Sequence, residues 1–444
     1  MSNLLHRELA GELFTAVRGD GIYLFDEHGR RYLDAAASGG VSCLGHSDAD
    51  VIAAMKRQLE SLSYVNNSMF TNEPAEAAAT MLAGMSPPGL DQVYFVSGGA
   101  EAVEASLKIA RQYFVESGEP ERRIIVSRRQ SFHGHTLATV SASGDPARRA
   151  LFEPWLIDVK QVSPCYAYRE QADHESPQAY GERLASELER LVERFGSRSV
   201  AALIAEPVVG GTLGAVPAVP GYFLRLREIC DRYGILLILD EVMCGMGKTG
   251  SLFAFEQEGV VPDIVCISKA LGGGYQPIAA TLVSRKIRDA IADRSGVVQH
   301  FHTYQAHPVA CAAVCAVLKK ISHPTMLAQV RARGDQLMAL LRKSLGQHPN
   351  VGDIRGRGLF LGIEFVHDRE TKERLPVERQ INAALKREAM NLGLTVTVIG
   401  AVNDCAMLSP PFIVTEEQIN EIATRFSRAV ESIFARPGHG HLGT

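Results

Sequence analysis

The 444-residue sequence lacks the features that mark membrane, secreted or nucleic-acid-binding proteins. No apolar run approaches the about 20 residues that span a bilayer, and the first seven residues contain no signal-peptide apolar core. The formal net charge is only −4, which gives no electrostatic reason to bind nucleic acid or an anionic membrane. We therefore expect no nucleic-acid or membrane partner and a cytoplasmic location.

The spacing of the cysteines and histidines indicates neither a disulfide framework nor a metal site. Eight cysteines without paired spacing do not form a disulfide framework. Cys311 and Cys315 are expected to be small buried residues on one helix face. His133 and His135 have no cluster of further ligands beside them, so no metal site is expected. A solvated face is expected for the three arginine pairs, 122–123, 128–129 and 148–149.

The chain changes character along its length, which favours more than one domain. Residues 20–34 predict a hairpin. From about residue 90, apolar strands alternate with helices, which predicts an α/β fold with a mostly parallel sheet flanked by helices. A smaller α+β domain is expected after it, with strand patterns at 353–366 and 406–414. The predicted divisions are an N-terminal segment contributing to the small domain (1–65), a large cofactor-binding domain (66–325), the small domain (326–435) and a mobile tail (436–444).

Lys269 lies where a covalently bound cofactor would need it. It follows the apolar run 264–267 and precedes the glycines 272–274. Upstream, the apolar run 236–239 leads to Asp240 at the end of another predicted strand. A lysine at such a position can form a Schiff base with pyridoxal phosphate, and a carboxylate can keep the cofactor's pyridine nitrogen protonated. The two residues predict a pyridoxal-phosphate enzyme and favour an aminotransferase.

A glycine-rich turn supplies a second part of such a site. The segment 97–101 (SGGAE) follows a strand and begins a helix, where backbone N–H groups can bind an anion. A tight strand-to-helix turn explains the segment equally well when it is taken alone. Ligands of open α/β sheets bind beyond the carboxyl ends of the strands, so we expect this turn, Asp240 and Lys269 at one edge. Phe132 could stack on a planar cofactor, with Val242 against the opposite face, or could belong to the core.

The segment 245–249 (GMGKT) is not a nucleotide-binding P-loop. That motif requires glycine five positions before Gly247, and the residue there is Val242. We expect no ATPase activity.

Eight segments, in the order of one known family, carry a resemblance. From about residue 20 to 420 the sequence resembles the class III (ω) aminotransferases, and the combination is far more specific than any single segment. The segments are 97–102 (SGGAEA), 205–208 (AEPV), 240–250 (DEVMCGMGKTG), 262–264 (PDI), 268–274 (SKALGGG), 302–308 (HTYQAHP), 355–359 (RGRGL) and 408–411 (LSPP).

The resemblance implies a fold type I pyridoxal-phosphate transferase with a seven-stranded-type sheet. It also implies a homodimer whose active sites lie at the subunit interface. Carried over by position, Lys269 resembles the Schiff-base lysine and Asp240 the partner of the pyridinium nitrogen. Thr303 resembles a threonine that reaches the phosphate of the neighbouring subunit's cofactor, although it could instead cap the helix near Pro308. Phosphate-binding amides are implied at Gly99 and Ala100, and the two faces of a ring sandwich at Phe132 and Val242.

The implied reaction is ping-pong transfer of an amino group from an ω-amine or ω-amino acid to an oxo acid such as pyruvate or 2-oxoglutarate. In it, Lys269 would move the proton. The nearest alternative is an aminomutase of the glutamate-1-semialdehyde type, which needs no second substrate. A racemase or decarboxylase on the same scaffold is less favoured. A catalytically silent protein of this fold is a further alternative, against which the presence of both Lys269 and Asp240 argues.

Recognition of the substrate carboxylate is where the chain departs from the family pattern. In relatives, the glutamate at the position of Glu206 faces a switchable arginine, but residues 400–411 contain neither arginine nor lysine. Another arginine could reach the site from a loop, the acceptor could lack an α-carboxylate, or Glu206 could bind a second amino group. The first is slightly favoured. Phe70 is expected to line the pocket or, equally, to pack in the core, and Arg355 to organise a glycine turn or supply substrate charge.

Overall fold

The structure is a computed structural model, and it describes residues 3–7, 9, 13–399 and 404–435. The predicted tail at 436–444 and the segment 400–403, where the family arginine is missing, lie outside the described residues.

Short strands alternate with longer helices along the chain. The strands are β1 (Ala16–Asp20), β2 (Tyr23–Asp26), β3 (Arg31–Asp34), β4 (Gln92–Val96), β5 (Ile124–Arg128), β6 (Lys160–Val162), β7 (Val200–Ala205), β8 (Val208–Val209), β9 (Val216–Pro217), β10 (Leu236–Asp240), β11 (Ile264–Ile267), β12 (Ala279–Val283), β13 (Val351–Arg357), β14 (Phe360–Phe365), β15 (Leu394–Thr395), β16 (Thr397–Ile399) and β17 (Cys405–Leu408). The helices are α1 (Ala37–Gly40), α2 (Ala49–Ser61), α3 (Glu73–Met85), α4 (Gly99–Glu116), α5 (Leu137–Ala142), α6 (Pro146–Arg149), α7 (Ala167–Glu170), α8 (Pro177–Phe195), α9 (Tyr222–Tyr233), α10 (Arg285–Ala292), α11 (Pro308–Ile321), α12 (Pro324–Leu345), α13 (Ile381–Asn391) and α14 (Glu416–Ala435).

The largest sheet has seven strands in the order β4-β12-β11-β10-β7-β5-β6. Its neighbours pair in parallel except at β12, which is antiparallel to both β11 and β4. Every residue of β7, β10 and β11 is buried, as expected for strands covered on both faces. The predicted mostly parallel α/β sheet is therefore confirmed.

Two further sheets have four strands each, in the orders β1-β2-β3-β15 and β13-β14-β17-β16. The predicted hairpin near residues 20–34 is present, because β2 and β3 pair antiparallel. The β3 strand then pairs with β15, which brings the N-terminal segment against the C-terminal part of the chain. The division into 1–65, 66–325, 326–435 and 436–444 stays a prediction.

Some local expectations were wrong. The strand predicted at 406–414 ends at Leu408, because the two prolines at 410–411 cannot donate to a ladder. The solvated face expected for the arginine pairs is also wrong at two positions, since Arg122 and Arg128 are 7% and 1% exposed. Their guanidinium groups bind backbone carbonyls: Arg122 donates to Val200 and Arg128 to Glu206.

Candidate active site

The predicted site residues meet at the carboxyl edge of the seven-stranded sheet. Strands β5, β7, β10 and β11 run parallel to one another, and β4 has the same direction because β12 is antiparallel to both β4 and β11. Asp240 ends β10, Glu206 follows β7 directly, and Lys269 follows β11 after one residue. Ligands of open α/β sheets bind at this edge.

The Asp240 carboxylate is buried and held from both sides. Its Oδ2 lies 2.7 Å from Nδ1 of His133, and its Oδ1 accepts the backbone N–H of Val242 at 3.0 Å. His133 was considered above only as a metal ligand, and its role as the Asp240 partner was missed. The signal that could have found it is that a buried carboxylate needs a hydrogen-bonding partner, and His133 follows β5, which is separated from β10 only by β7 in the same sheet.

Lys269 is partly buried and has an uncommon backbone conformation. Its φ angle is +47°, a region that costs free energy for a residue other than glycine and is often found at functional sites. Burial lowers the pKa of the Lys269 ammonium, while the negative charges of Asp240 and Glu206 act in the opposite direction. The effect of burial is the larger, so the pKa of Lys269 is lowered overall. A lowered pKa favours the free amine, which is the form that acts as a nucleophile.

The glycine turn before α4 is shaped for close approach. Gly98 is the N-cap residue of α4 and has no side chain to occupy the first amides of the helix. A Cβ at Gly99 would lie 2.7 Å from Cγ1 of Val242, and one at Gly134 would lie 2.6 Å from Cβ of Ala100. The structure therefore places Gly99 beside Val242, which follows β10, and Ala100 beside Gly134, and no side chain caps the first N–H groups of α4, which can bind an anion.

Glu206 fixes the loop that carries Phe132. Its Oε1 accepts the backbone N–H of Phe132 at 3.1 Å, and its Oε2 accepts the N–H of Gly210 at 3.0 Å. Burial raises the pKa of Glu206, and the charge on Asp240 adds to that increase. The carboxylate thus has a positioning role in addition to any contact with substrate.

The Phe132 ring is covered by cationic and polar neighbours. The Arg148 Cζ lies 4.3 Å from the ring centroid, a cation–π distance. His135 makes an edge-on contact with a centroid separation of 5.1 Å. Phe132 and Val242 are both only partly buried, which leaves ring and methyl surface at the site.

A buried lysine lies near Lys269. Lys248 is 1% exposed and donates from Nζ to the Gly40 carbonyl at 2.5 Å. Burial lowers the pKa of Lys248 to about 7, and the positive charge on Lys269 contributes to the decrease.

Two predicted site residues lie on the surface of the single chain. Phe70 is 62% exposed, so the core-packing alternative is wrong for the chain on its own. Thr303 is also exposed, and its carbonyl accepts a hydrogen bond from the Tyr64 hydroxyl at 2.7 Å. The structure shows no contact of either side chain with Lys269 or Asp240. Their roles in the site stay predictions.

Arg355 has a structural environment. Its Nε donates to the Gly214 carbonyl at 2.9 Å, and its Nη1 lies 2.6 Å from Glu364 and 3.0 Å from Asp353. The side chain is 8% exposed. These contacts support its role in organising the glycine turn of β13 rather than supplying substrate charge.

These residues fit pyridoxal phosphate, the cofactor predicted from the sequence. The turn at Gly98 and Gly99 leaves room and amides for a phosphate, Asp240 offers a fixed carboxylate, and Lys269 offers a partly buried amine at the same sheet edge. Within residues 3–7, 9, 13–399 and 404–435, no group of three or more His, Cys, Asp or Glu side chains is arranged to hold a metal ion. No helix in that part of the chain is long and apolar enough to cross a membrane.

Comparison with known proteins gives one consistent result. The family model for "Aminotransferase class-III" matches residues 7–430. An uncharacterised aminotransferase of Schizosaccharomyces pombe is 41% identical, over 95% of this chain and 93% of the relative. A thermostable (S)-enantioselective ω-transaminase from Thermomicrobium roseum is 34% identical with a TM-score of 0.92, covering 97% and 96% of the two chains. The ω-transaminase of Pseudomonas jessenii, solved in complex with PMP, is 32% identical with a TM-score of 0.91, covering 95% and 93%.

Proposed function

The chain belongs to the class III aminotransferases, enzymes that use pyridoxal phosphate, and we propose that it binds this cofactor through Lys269 and Asp240. It is an aminotransferase of fold type I that transfers an amino group from an amine donor to an oxo acid. The aminomutase and the catalytically silent protein are not favoured by these relationships. The donor that we propose is an ω-amine or ω-amino acid, and the acceptor is pyruvate or 2-oxoglutarate.

One observation carries the cofactor assignment. Asp240 and Lys269 lie at the carboxyl ends of two neighbouring parallel strands, β10 and β11. The negative charge on Asp240 raises the pKa of the Lys269 ammonium against the effect of burial. Asp240 is buried and Lys269 is partly buried, so neither side chain is free in solvent. A fixed carboxylate and an amine of lowered pKa are the two groups that the cofactor's ring nitrogen and aldehyde require.

Bound pyridoxal phosphate supplies an electron-withdrawing ring that stabilises the negative charge left when the donor carbon loses a proton. Asp240, oriented by His133 and the Val242 amide, would hold the ring nitrogen in its protonated form. Lys269 would hold the aldehyde carbon covalently and, once released by the donor amine, would carry the proton away from the donor carbon. Its lowered pKa supports that base role.

The remaining contacts would fix the plane and phosphate of the cofactor. Gly99 and Ala100 would donate backbone N–H groups to the phosphate at the α4 N-terminus. Phe132 and Val242 would cover the two faces of the ring. Glu206 would support Phe132 through its backbone amide, and exclusion of water by these side chains would strengthen the charge interactions inside the site.

We also propose a homodimer with shared active sites. The support is that Thr303 and Phe70, two predicted site residues, are exposed on the single chain together with Met69 and Tyr304, which are 76% and 62% exposed. Thr303 would reach the partner's cofactor phosphate, and Phe70 would line a substrate pocket. Light scattering of the purified protein tests the assembly, and a monomer with full activity would contradict it. A cytoplasmic location stays a prediction.

The reaction is tested with protein loaded with pyridoxal phosphate and a panel of ω-amines and ω-amino acids. With pyruvate present, alanine should form in a one-to-one ratio with the donor's carbonyl product. Lys269→Ala is the matched control and should form none. Conversion of an amino-aldehyde without added oxo acid would favour the aminomutase, and absence of turnover across the panel with both acceptors would contradict the donor class that we propose.

A further inference from the structure

We propose that Arg148 is the specificity residue that binds the carboxylate of the amino-acid or oxo-acid substrate, an inference that rests on the proposed function. Residues 400–411 contain neither arginine nor lysine, so a cation that binds a substrate carboxylate would belong to another part of the protein. Arg148 belongs to a short helix, α6, that lies beside the loop of Phe132. Its surroundings combine fixed orientation, proximity to the site and unused hydrogen-bonding capacity.

The guanidinium of Arg148 is oriented by two neighbours. Its Nε lies 3.1 Å from Oδ2 of Asp145, a fully buried carboxylate that also caps α6 through the Ala147 N–H at 3.0 Å. Its Nη2 donates to the Gly211 carbonyl at 3.0 Å. Two anchored atoms define the plane of the group, so little side-chain entropy is left to lose when a ligand binds.

Arg148 is adjacent to the residue proposed to cover the cofactor ring. Its Cζ lies 4.3 Å from the Phe132 ring centroid. The Phe132 backbone is in turn held by Glu206 at 3.1 Å, and Gly211 packs so closely that a Cβ there would lie 3.1 Å from Cδ1 of Phe132. The cation therefore lies against the aromatic ring that is proposed to cover the cofactor.

Part of the guanidinium remains available. Among the described residues, no hydrogen bond reaches Nη1 of Arg148, and its side chain is 23% exposed. Nη1 carries two N–H groups and Nη2 has a second one, which together form the fork that matches a carboxylate. An arginine needed only to hold the Gly211 loop would not require that open edge.

The charges that face Arg148 favour an anion on its open side. The positive charge of Arg7 acts on both Arg148 and His135, and burial together with these two guanidinium groups lowers the pKa of His135, which favours its neutral ring. The acidic neighbours are Asp145 and Glu206. Asp145 is already engaged by Arg148 and the α6 cap, and Glu206 by two backbone amides, so the exposed side presents positive charge to a ligand.

The competing explanation is that Arg148 only holds the loop of Gly211. A loop role predicts that removing the guanidinium harms every substrate alike. A carboxylate-binding role predicts selective loss with acids. The experiment therefore compares 4-aminobutyrate with n-butylamine as donors, and pyruvate with acetaldehyde as acceptors, for wild type, Arg148→Gln and Arg148→Lys loaded with pyridoxal phosphate. The control is Arg129→Gln, which removes the same charge from an exposed arginine. Arg129 contacts Ser163.

In Arg148→Gln, kcat/KM should fall by roughly 10- to 100-fold for 4-aminobutyrate or pyruvate, the loss expected for a charged hydrogen bond. The carboxylate-free partner should change by less than about 3-fold by the same reasoning, since it makes no such bond. Arg148→Lys should fall between, because an ammonium keeps the charge and loses the fork. Equal losses for acid and non-acid, or no loss for either acid, would overturn the proposal.

A binding measurement separates this inference from the reaction itself. Calorimetric titration of the loaded protein with succinate, a dicarboxylate without an amino or oxo group, should give a dissociation constant about 10-fold or more weaker in Arg148→Gln than in wild type or Arg129→Gln. If wild type transaminates nothing while this difference persists, the proposed reaction fails and the carboxylate site stands. If wild type transaminates acids and Arg148→Gln binds succinate as wild type does, the Arg148 assignment fails alone.

Discussion

The Nδ1 atom of His133 lies 2.7 Å from Oδ2 of Asp240, and both side chains are almost fully buried. The other Asp240 oxygen accepts the Val242 N–H at 3.0 Å. The carboxylate therefore has a fixed orientation at the end of β10 before any ligand binds. Preorganised charges of this kind contribute more in a buried site than in water, because no solvent must reorganise around them during the reaction.

Asp240→Asn should lower kcat by about 100-fold or more, the loss typical of removing one electrostatic stabiliser. Asparagine nearly matches the shape of aspartate, so folding should be preserved while the charge that keeps the ring nitrogen protonated is lost. Steady-state turnover and circular dichroism of the loaded variant check this. The control is Asp158→Asn, which removes an exposed carboxylate and should leave turnover unchanged. Near-wild-type turnover in Asp240→Asn would contradict the role of Asp240.

Gly99→Ala should weaken cofactor binding. A Cβ at Gly99 would lie 2.7 Å from Cγ1 of Val242, so either the turn or the Val242 methyl group must move, and both are proposed cofactor contacts. We expect the dissociation constant for pyridoxal phosphate to rise by roughly 10-fold, which corresponds to about 1.4 kcal/mol. Gly84→Ala is the matched control, because a Cβ in that helix meets no atom within 4 Å. Equal affinities of the two variants for pyridoxal phosphate would argue against phosphate binding by the turn at Gly99.

Lys248→Met should remove a pH dependence of stability. The pKa of Lys248 is lowered from 10.5 to about 7 in the folded protein, so the unfolded chain binds more protons between these values. The contribution of Lys248 to the free energy of unfolding should therefore rise with pH across that window, by at most about 1.4 kcal/mol per pH unit, and be constant below it.

Denaturant titrations from about pH 6 to pH 10 check this linkage by the difference between wild type and variant. For Lys248→Met, the free energy of unfolding of wild type minus that of the variant should increase as the pH rises above about 7. It should stay flat for Lys343→Met, which removes an exposed lysine. A flat difference for both variants would mean that Lys248 keeps an ordinary pKa.

Arg355→Met should destabilise the fold without changing substrate preference. Arg355 is one of two ion-pair partners of Glu364, at 2.6 Å beside Arg169 at 2.7 Å, and the Glu364 side chain is fully buried. Removing one partner of a buried pair typically costs about 3–5 kcal/mol. The control Arg342→Met removes an exposed arginine whose contact to the Ile354 carbonyl is 3.4 Å, and it should change the free energy of unfolding by less than about 0.5 kcal/mol. A selective loss of activity with acids in Arg355→Met would instead make Arg355 a substrate contact.

The site residues that could be predicted from the sequence are those that lie directly at the end of a strand. The apolar runs before Asp240 and Lys269 are continuous, so they indicate buried strands, and parallel strands bring their carboxyl ends to one edge. Arg148 and Lys248 could not be placed in this way. Each lies on a loop or short helix whose approach to Phe132 or Gly40 depends on contacts across more than one element.

The helices show the same limit. The α12 helix was not predicted, and Gly334 within it disfavours a helix by about 1 kcal/mol relative to alanine. The structure shows why glycine is needed there: a Cβ at Gly334 would lie 2.2 Å from the Gly358 carbonyl oxygen. Only the packing of α12 against the turn between β13 and β14 explains that glycine, and no local pattern contains this information.

The most direct test of the account is to locate the covalent attachment of pyridoxal phosphate. Borohydride reduction of the loaded protein, followed by proteolysis and peptide mass spectrometry, fixes the cofactor to the lysine that holds it. We predict one modified peptide, carrying the phosphopyridoxyl group on Lys269, and no such peptide from Lys269→Ala. Attachment at Lys248, the other lysine of lowered pKa, or absence of any modified peptide would contradict the assignment of Lys269.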